Sequence, residues 1–153
     1  MTGVVVVDAS LALKWVLAEA DSNIAIALLQ TWNTDKMEII APALFTYETT
    51  NILYRQVVTN KLSYEEVKKL LTKLLSIGIL LNFVQHREIS IRAMELSHRF
   101  GLPAAYDAHY LALAEHEKCE YWTADTRLCT AVRDQLPWVL YWSQFPGQGD
   151  KIK

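Results

Sequence analysis

An α/β fold, a layered sandwich with helices on both faces of a central parallel sheet of about five strands, is what this sequence predicts. Three observations carry it. Short apolar, β-branched runs alternate with longer segments whose apolar residues recur at helical spacing. The first such run, Val4 to Val7, is continuous, as in a strand buried on both faces of a sheet. Helices or helix pairs separate successive strand-like runs, which is the connection a parallel neighbour needs.

The elements follow in order. After the valine run, Ser10 can N-cap a helix to about Leu17. Asp21 or Ser22 caps another, ending near Trp32, and Glu38 to Ala41 reads as a second strand stopped by Pro42. A long helix is expected from about Leu44 to Asn60. Ser63-Tyr64-Glu65-Glu66 is a capping box ahead of Val67, Leu70, Leu71, Leu74 and Leu75, which make one apolar stripe. Gly78 ends that helix, and Ile79 to Val84 reads as a third strand. Ile89, Ala93, Leu96 and Phe100 line a helix closed by Gly101, with Pro103 just beyond. Ala104 to Lys118 reads as helix, Tyr121 to Thr123 as strand, Thr126 to Asp134 as helix and Trp138 to Trp142 as a last strand. A single domain over residues 1–145 is expected, with a flexible polar tail over 146–153.

Composition narrows the function classes. With 52% hydrophobic and 21% charged residues the composition fits a soluble globular protein and argues against disorder. A net charge of −2 gives no bulk attraction for nucleic acid, so a polyanion would have to be met by a local basic patch or by metal. Cys119 and Cys129 form no CxxC pair and read as buried free thiols, which suits a reducing compartment. The N-terminus lacks a basic segment and Asp8 interrupts its apolar run, so no signal peptide is expected. Leu74 to Val84, broken by Ser76, Gly78 and Asn82, is too short to span a bilayer. These features point to a cytoplasmic protein without a membrane partner.

Four acids, Asp8, Glu48, Asp107 and Asp125, lie far apart in the chain, each where an α/β fold could bring it to one rim. Ligands of open α/β sheets gather beyond the carboxyl ends of the strands. Carboxylates meeting there repel one another unless a cation holds them, and a divalent metal site for phosphate chemistry is the most economical reason for such a set. Each acid also has a plainer role. Asp8 could end a strand and cap a helix, Glu48 and Asp107 could sit in first turns favoured by the helix dipole, and Asp125 could cap the helix after it.

The segments around these acids resemble one family. Val6-Val7-Asp8-Ala9-Ser10-Leu11-Ala12-Leu13-Lys14-Trp15 is similar to the opening of PIN-domain ribonucleases, especially the VapC-type toxins of bacteria and archaea. The segment from Pro42 through Glu48 and Asn51 to Arg55 resembles their second motif, Tyr106-Asp107 through Glu115 the third, and Thr123-Ala124-Asp125-Thr126-Arg127-Leu128 the fourth. The resemblance runs from about Val4 to Trp142 and implies a PIN-like three-layer α/β/α sandwich. It implies a Mg²⁺- or Mn²⁺-dependent endoribonuclease whose metal-binding acids fall on Asp8, Glu48, Asp107 and Asp125. Hard oxygen donors suit those ions, and a bound divalent ion can activate water and stabilise the phosphoryl transition state. Thr123 falls where the family often has a small hydroxyl or amide residue. A homodimer and a cognate antitoxin are implied as well, with the helix pair from Leu44 to Gly78 as the protein contact. The alternatives are a non-catalytic PIN-like module that binds RNA or protein, or a related DNA nuclease. A haloacid-dehalogenase-like phosphatase would want an acid where Ser10 stands.

Residues near the acids have further roles open to them. Asn51 and Arg55 share a helix face with Glu48, as a donor to the acids and a phosphate contact, or Arg55 as a surface partner of Glu48 or Glu66. Ser10 can cap its helix and donate to Asp8. Lys14 and Arg127 are candidate phosphate contacts. His109 and His116 share a face but lack a third soft ligand, so they read as surface or core residues. Glu115 and Glu117 read as a solvated face, and the tryptophans as core or interface mass.

Overall fold

The computed structural model describes residues 3–82 and 87–146. Strand β1 (Val4–Val7) leads into the short helix α1 (Ala9–Ala12), which tightens into a 3-10 turn, Leu13–Trp15. Then come α2 (Ser22–Thr34), β2 (Glu38–Pro42), α3 (Leu44–Val58), α4 (Tyr64–Leu75) and β3 (Leu80–Asn82). The second half holds α5 (Arg87–Phe100), α6 (Tyr106–Glu117), β4 (Glu120–Thr123), α7 (Thr126–Val132) and β5 (Val139–Tyr141), with a 3-10 turn at Trp142–Gln144. The strands form one parallel sheet in the order β3-β2-β1-β4-β5, the core of a three-layer α/β/α sandwich.

Strand order sets where a ligand can sit. From β1 the chain builds outward through β2 to β3, then returns to add β4 on the other side of β1. The order therefore reverses between β1 and β4, and the crevice at a sheet's carboxyl edge opens at such a switch. Val7 pairs with Trp122 across it, so Asp8 and Thr123 are the next residues along each strand.

Packing follows the sequence pattern on both faces. Tyr121 stacks on Tyr110 of α6, while the adjacent Trp122 meets Trp32 of α2 edge-on, as the alternation of a strand demands. Trp15 extends that cluster through Trp32. In α6 the whole run Tyr110 to Ala114 is buried, because the helix lies on the sheet and beneath α5. Arg92 of α5 clamps it from outside, its Nε 2.8 Å from Glu115 Oε1.

Several boundaries and roles differ from expectation. The first helix is capped by Asp8, not Ser10: the extended backbone at Asp8 lets its Oδ1 accept from the Leu11 N–H at 3.1 Å, which places Ser10 inside the turn. That helix reaches Trp15 only as a 3-10 turn, short of Leu17. The long helix stops at Val58, and the last strand at Tyr141, where Trp142 begins its 3-10 turn. The capping box at Ser63 and Glu66 forms as expected. The stripe behind it buries Val67 and Leu74 but leaves Leu75 exposed. Gly101 closes α5 with φ of 63°, the left-handed conformation for which glycine is suited. The third strand is seen over Leu80–Asn82; positions 83 and 84 of the expected run, and 147–153 of the expected tail, lie outside the described residues. Both cysteines are free, Cys129 buried and Cys119 only half-buried, and burial pushes both thiols up to about 11.

Candidate functional site

Asp8 stands at the bottom of the crevice, only 4% exposed. Its Oδ1 accepts from Ser10 Oγ at 2.6 Å and from the Leu11 N–H; its Oδ2 accepts from Tyr121 Oη at 2.7 Å and from Thr123 Oγ1. Burial pushes the carboxyl up, and these donors pull against it. Thr123 is itself fully buried and accepts from the Asp125 N–H at 3.0 Å, while Ser10 accepts from the Ala124 N–H at 3.0 Å. Ser10 and Thr123, both singled out in the sequence, thus tie the end of β1 to the loop after β4.

The other acids ring this buried one. Glu48 lies in the second turn of α3, not the first, so the helix dipole does not explain it. Its Oε1 accepts from Tyr110 Oη at 2.7 Å. Asp107 occupies the first turn of α6, and among the described residues no hydrogen bond reaches its carboxylate. Asp125 caps α7, its Oδ1 accepting from the N–H groups of Arg127 and Leu128 at 2.9 and 3.1 Å. Glu48 Oε2, both oxygens of Asp107 and Asp125 Oδ2 are therefore free of hydrogen bonds among the described residues.

Glu48 and Asp107 lie within electrostatic reach of the other acids. Burial raises Glu48, Tyr110 pulls it back, and the charges of Asp107 and Asp8 raise it again. Asp107 is pushed up to about 6, by burial first and then by the charges of Asp125 and Asp8. The like charges that raise Glu48 and Asp107 are what a divalent cation would relieve. Among the described residues no group of three or more acids, histidines or cysteines is drawn closely enough together to grip a metal ion as it stands. What the structure supplies is an all-oxygen donor set with outward oxygens on three elements, the chemistry that Mg²⁺ and Mn²⁺ prefer.

The remaining sequence candidates sort by surroundings. Asn51 and Arg55 are exposed on α3, one and two turns beyond Glu48. Lys14 pairs with Glu19 at 2.9 Å and lies over the Trp142 ring at 4.7 Å. Arg127 is exposed beside the Asp125 cap. His109 Nδ1 bonds the Ala105 carbonyl at 2.7 Å. Glu115 is held by Arg92 and is not simply solvated. Sequence reasoning missed Tyr110 and Tyr121, whose hydroxyls reach two of the four acids. Burial pushes both phenols well up, so both remain protonated donors. Their one visible signal was position, three residues after Asp107 and two before Thr123.

Comparison with known proteins agrees with this architecture. A family model described as PIN domain matches residues 5–133. The crystal structure of PAE2754 from Pyrobaculum aerophilum is similar to the chain with a TM-score of 0.65 and 20% identity, over 93% of this chain and 85% of that one. Mycobacterium tuberculosis VapC20, a sarcin-ricin loop cleaving toxin, is similar with a TM-score of 0.62 and 16% identity, over 84% of this chain and 95% of that one. No curated protein matches the chain.

Proposed function

The chain belongs to the PIN-domain family, and from that premise we propose that it is a Mg²⁺- or Mn²⁺-dependent endoribonuclease of the VapC toxin type. The observation that carries this is the gathering of Asp8, Glu48, Asp107 and Asp125 at the carboxyl edge of the sheet, where the charges of the neighbouring acids add to burial in raising Glu48 and Asp107. Glu48, Asp107 and Asp125 offer open oxygens to the cation. Asp8 supplies buried negative charge beneath them, and joins the ligands where a Ser10 or Thr123 hydroxyl turns aside. The bound ion would lower the pKa of water and neutralise charge on the scissile phosphate. The protein's part is to hold the carboxylates on separate, well-packed elements so that water and phosphate keep access. Tyr47 and Tyr106, 70% and 65% exposed, directly precede Glu48 and Asp107 and offer ring faces to unpaired bases.

A cleavage assay tests the proposal. Single-stranded RNA should be cut in Mg²⁺ or Mn²⁺, cutting should stop in EDTA, and added metal should restore it. Undiminished cleavage in excess chelator overturns the metal mechanism. Binding without cleavage supports a non-catalytic module, and preferential cutting of DNA a related DNA nuclease. Glu115→Gln serves as a control outside the acid group. It should leave cleavage unchanged and cost under ~1 kcal/mol in thermal denaturation, since it loosens only a surface pairing with Arg92.

The toxin assignment adds a homodimer and a small antitoxin, in a cytoplasmic setting. Among the described residues no helix is long and apolar enough to cross a membrane. Tyr54, Val58, Tyr64 and Leu75 on α3 and α4 expose large apolar surface, which supports a protein contact there. A basic antitoxin segment could pair with the acids. Light scattering should report a dimer, and a partner encoded beside the gene should abolish cleavage on binding. A monomer that no such partner inhibits removes the toxin assignment and leaves the nuclease.

A further inference from the structure

The two tyrosines beneath the acids are more than core. We propose that Tyr110 and Tyr121 form a brace that fixes the spacing and orientation of Glu48 and Asp8, which makes both of them positioning residues for the metal-dependent reaction. The brace rests on the metal-site reading above and deepens it.

The geometry is specific. The rings stack with centroids 5.8 Å apart and planes within 10°. Both residues are fully buried. Phenylalanine would fill the same space, and a buried hydroxyl costs free energy unless it is bonded. Each hydroxyl is bonded to a different acid at 2.7 Å, Tyr110 to Glu48 and Tyr121 to Asp8. One stacked pair therefore links α6 and β4, which carry the rings, to α3 and the end of β1, which carry the acids. Asp107 lies three residues before Tyr110 on the same helix face, so the brace registers its helix against the other acids too.

The bonds also choose which oxygens face outward. A glutamate on a helix surface has freedom about its side-chain bonds. Tyr110 takes Glu48 Oε1 and leaves Oε2. Tyr121 shares Asp8 Oδ2 with Thr123 and keeps that carboxylate seated in the floor of the crevice. Partners that orient a metal's ligands in this way typically govern affinity by 10- to 100-fold.

Tyr110→Phe and Tyr121→Phe keep the stack and remove only the hydroxyls. Each should weaken Mn²⁺ binding about 10-fold by calorimetry and lower kcat on RNA, with KM for RNA unchanged. In a Glu48→Gln background, Tyr110→Phe should weaken Mn²⁺ no further, because its partner is already altered. A packing role alone would leave Mn²⁺ affinity untouched. Phe variants that bind Mn²⁺ like the wild type overturn the brace and leave the metal site standing. A wild-type protein that binds no Mn²⁺ overturns both. Either single variant is sufficient, so one that failed to fold would leave the other as the test.

Discussion

Asp107→Asn should abolish RNA cleavage and at the same time raise the melting temperature of the protein in EDTA. The two effects share one cause. Asp107 has no hydrogen bond to hold its charge among the described residues, and burial with the charges of Asp125 and Asp8 pushes it up to about 6 from 3.8. The folded chain therefore holds this proton more tightly than the unfolded chain. Below about pH 4 both states are protonated and the site costs nothing; as pH rises through about 6 the destabilisation grows to its full value. Discounted for the partial exposure of the group, it amounts to about 1 kcal/mol at neutral pH. The amide should remove it, so the variant melts higher than the wild type at pH 7.5 in EDTA, and the two converge near pH 4. Saturating Mn²⁺ should invert the order. At 100 times Kd the wild type gains about 2.7 kcal/mol, which the variant has largely forfeited. Cleavage should fall at least ~10²-fold, as when one preorganised electrostatic group is lost. An active Asp107→Asn enzyme removes this residue from the site, and a lower melting point in EDTA at pH 7.5 denies the repulsion.

Asp8, Asp107 and Asp125 were legible in the sequence because each follows a strand or opens a helix, places where local pattern and position in the fold coincide; Glu48, in the second turn of α3, was legible only through the motif around it. Asp125 shows that the plainer reading leaves room for the functional one: it caps α7 with one oxygen and leaves the other open. Strand order was not legible, since pairing depends on contacts between segments more than a hundred residues apart, such as Val7 with Trp122. Separation along the chain also hid Tyr110 and Tyr121, 62 and 113 residues from the acids they meet. An aromatic on an apolar helix or strand looks like core, and its hydroxyl acquires meaning only when the sheet sets it against an acid from another element. Ser10 was misplaced as a cap because Asp8 competes for the same N–H groups and, as the residue leaving an extended strand, reaches them first. The surroundings of Lys14 were not legible either, since its partners, Glu19 and the Trp142 ring, are set by the fold.

Thr123→Val should cost more stability than its near-identical shape suggests. The hydroxyl has two duties: it donates to the buried Asp8 carboxylate and accepts from the Asp125 N–H. Valine does neither. The first loss is a hydrogen bond to a charged group and the second leaves a donor unpaired, together about 3 kcal/mol. For a chain of this size that lowers Tm by roughly 6–12 °C. Activity should fall as well. Asp8 loses one of its hydroxyl donors, and the loop that presents Asp125 loses its tie to the floor of the crevice. Thr123→Ser separates the hydroxyl from the methyl. It retains both hydrogen bonds and gives up one buried methyl group, a cost of about 1 kcal/mol, so it should cleave like the wild type. If the valine and serine variants melt and cleave alike, Asp8 is sustained by Tyr121, Ser10 and the Leu11 N–H without Thr123. A serine variant that rescues both properties places the threonine hydroxyl, and not its bulk, at the base of the site.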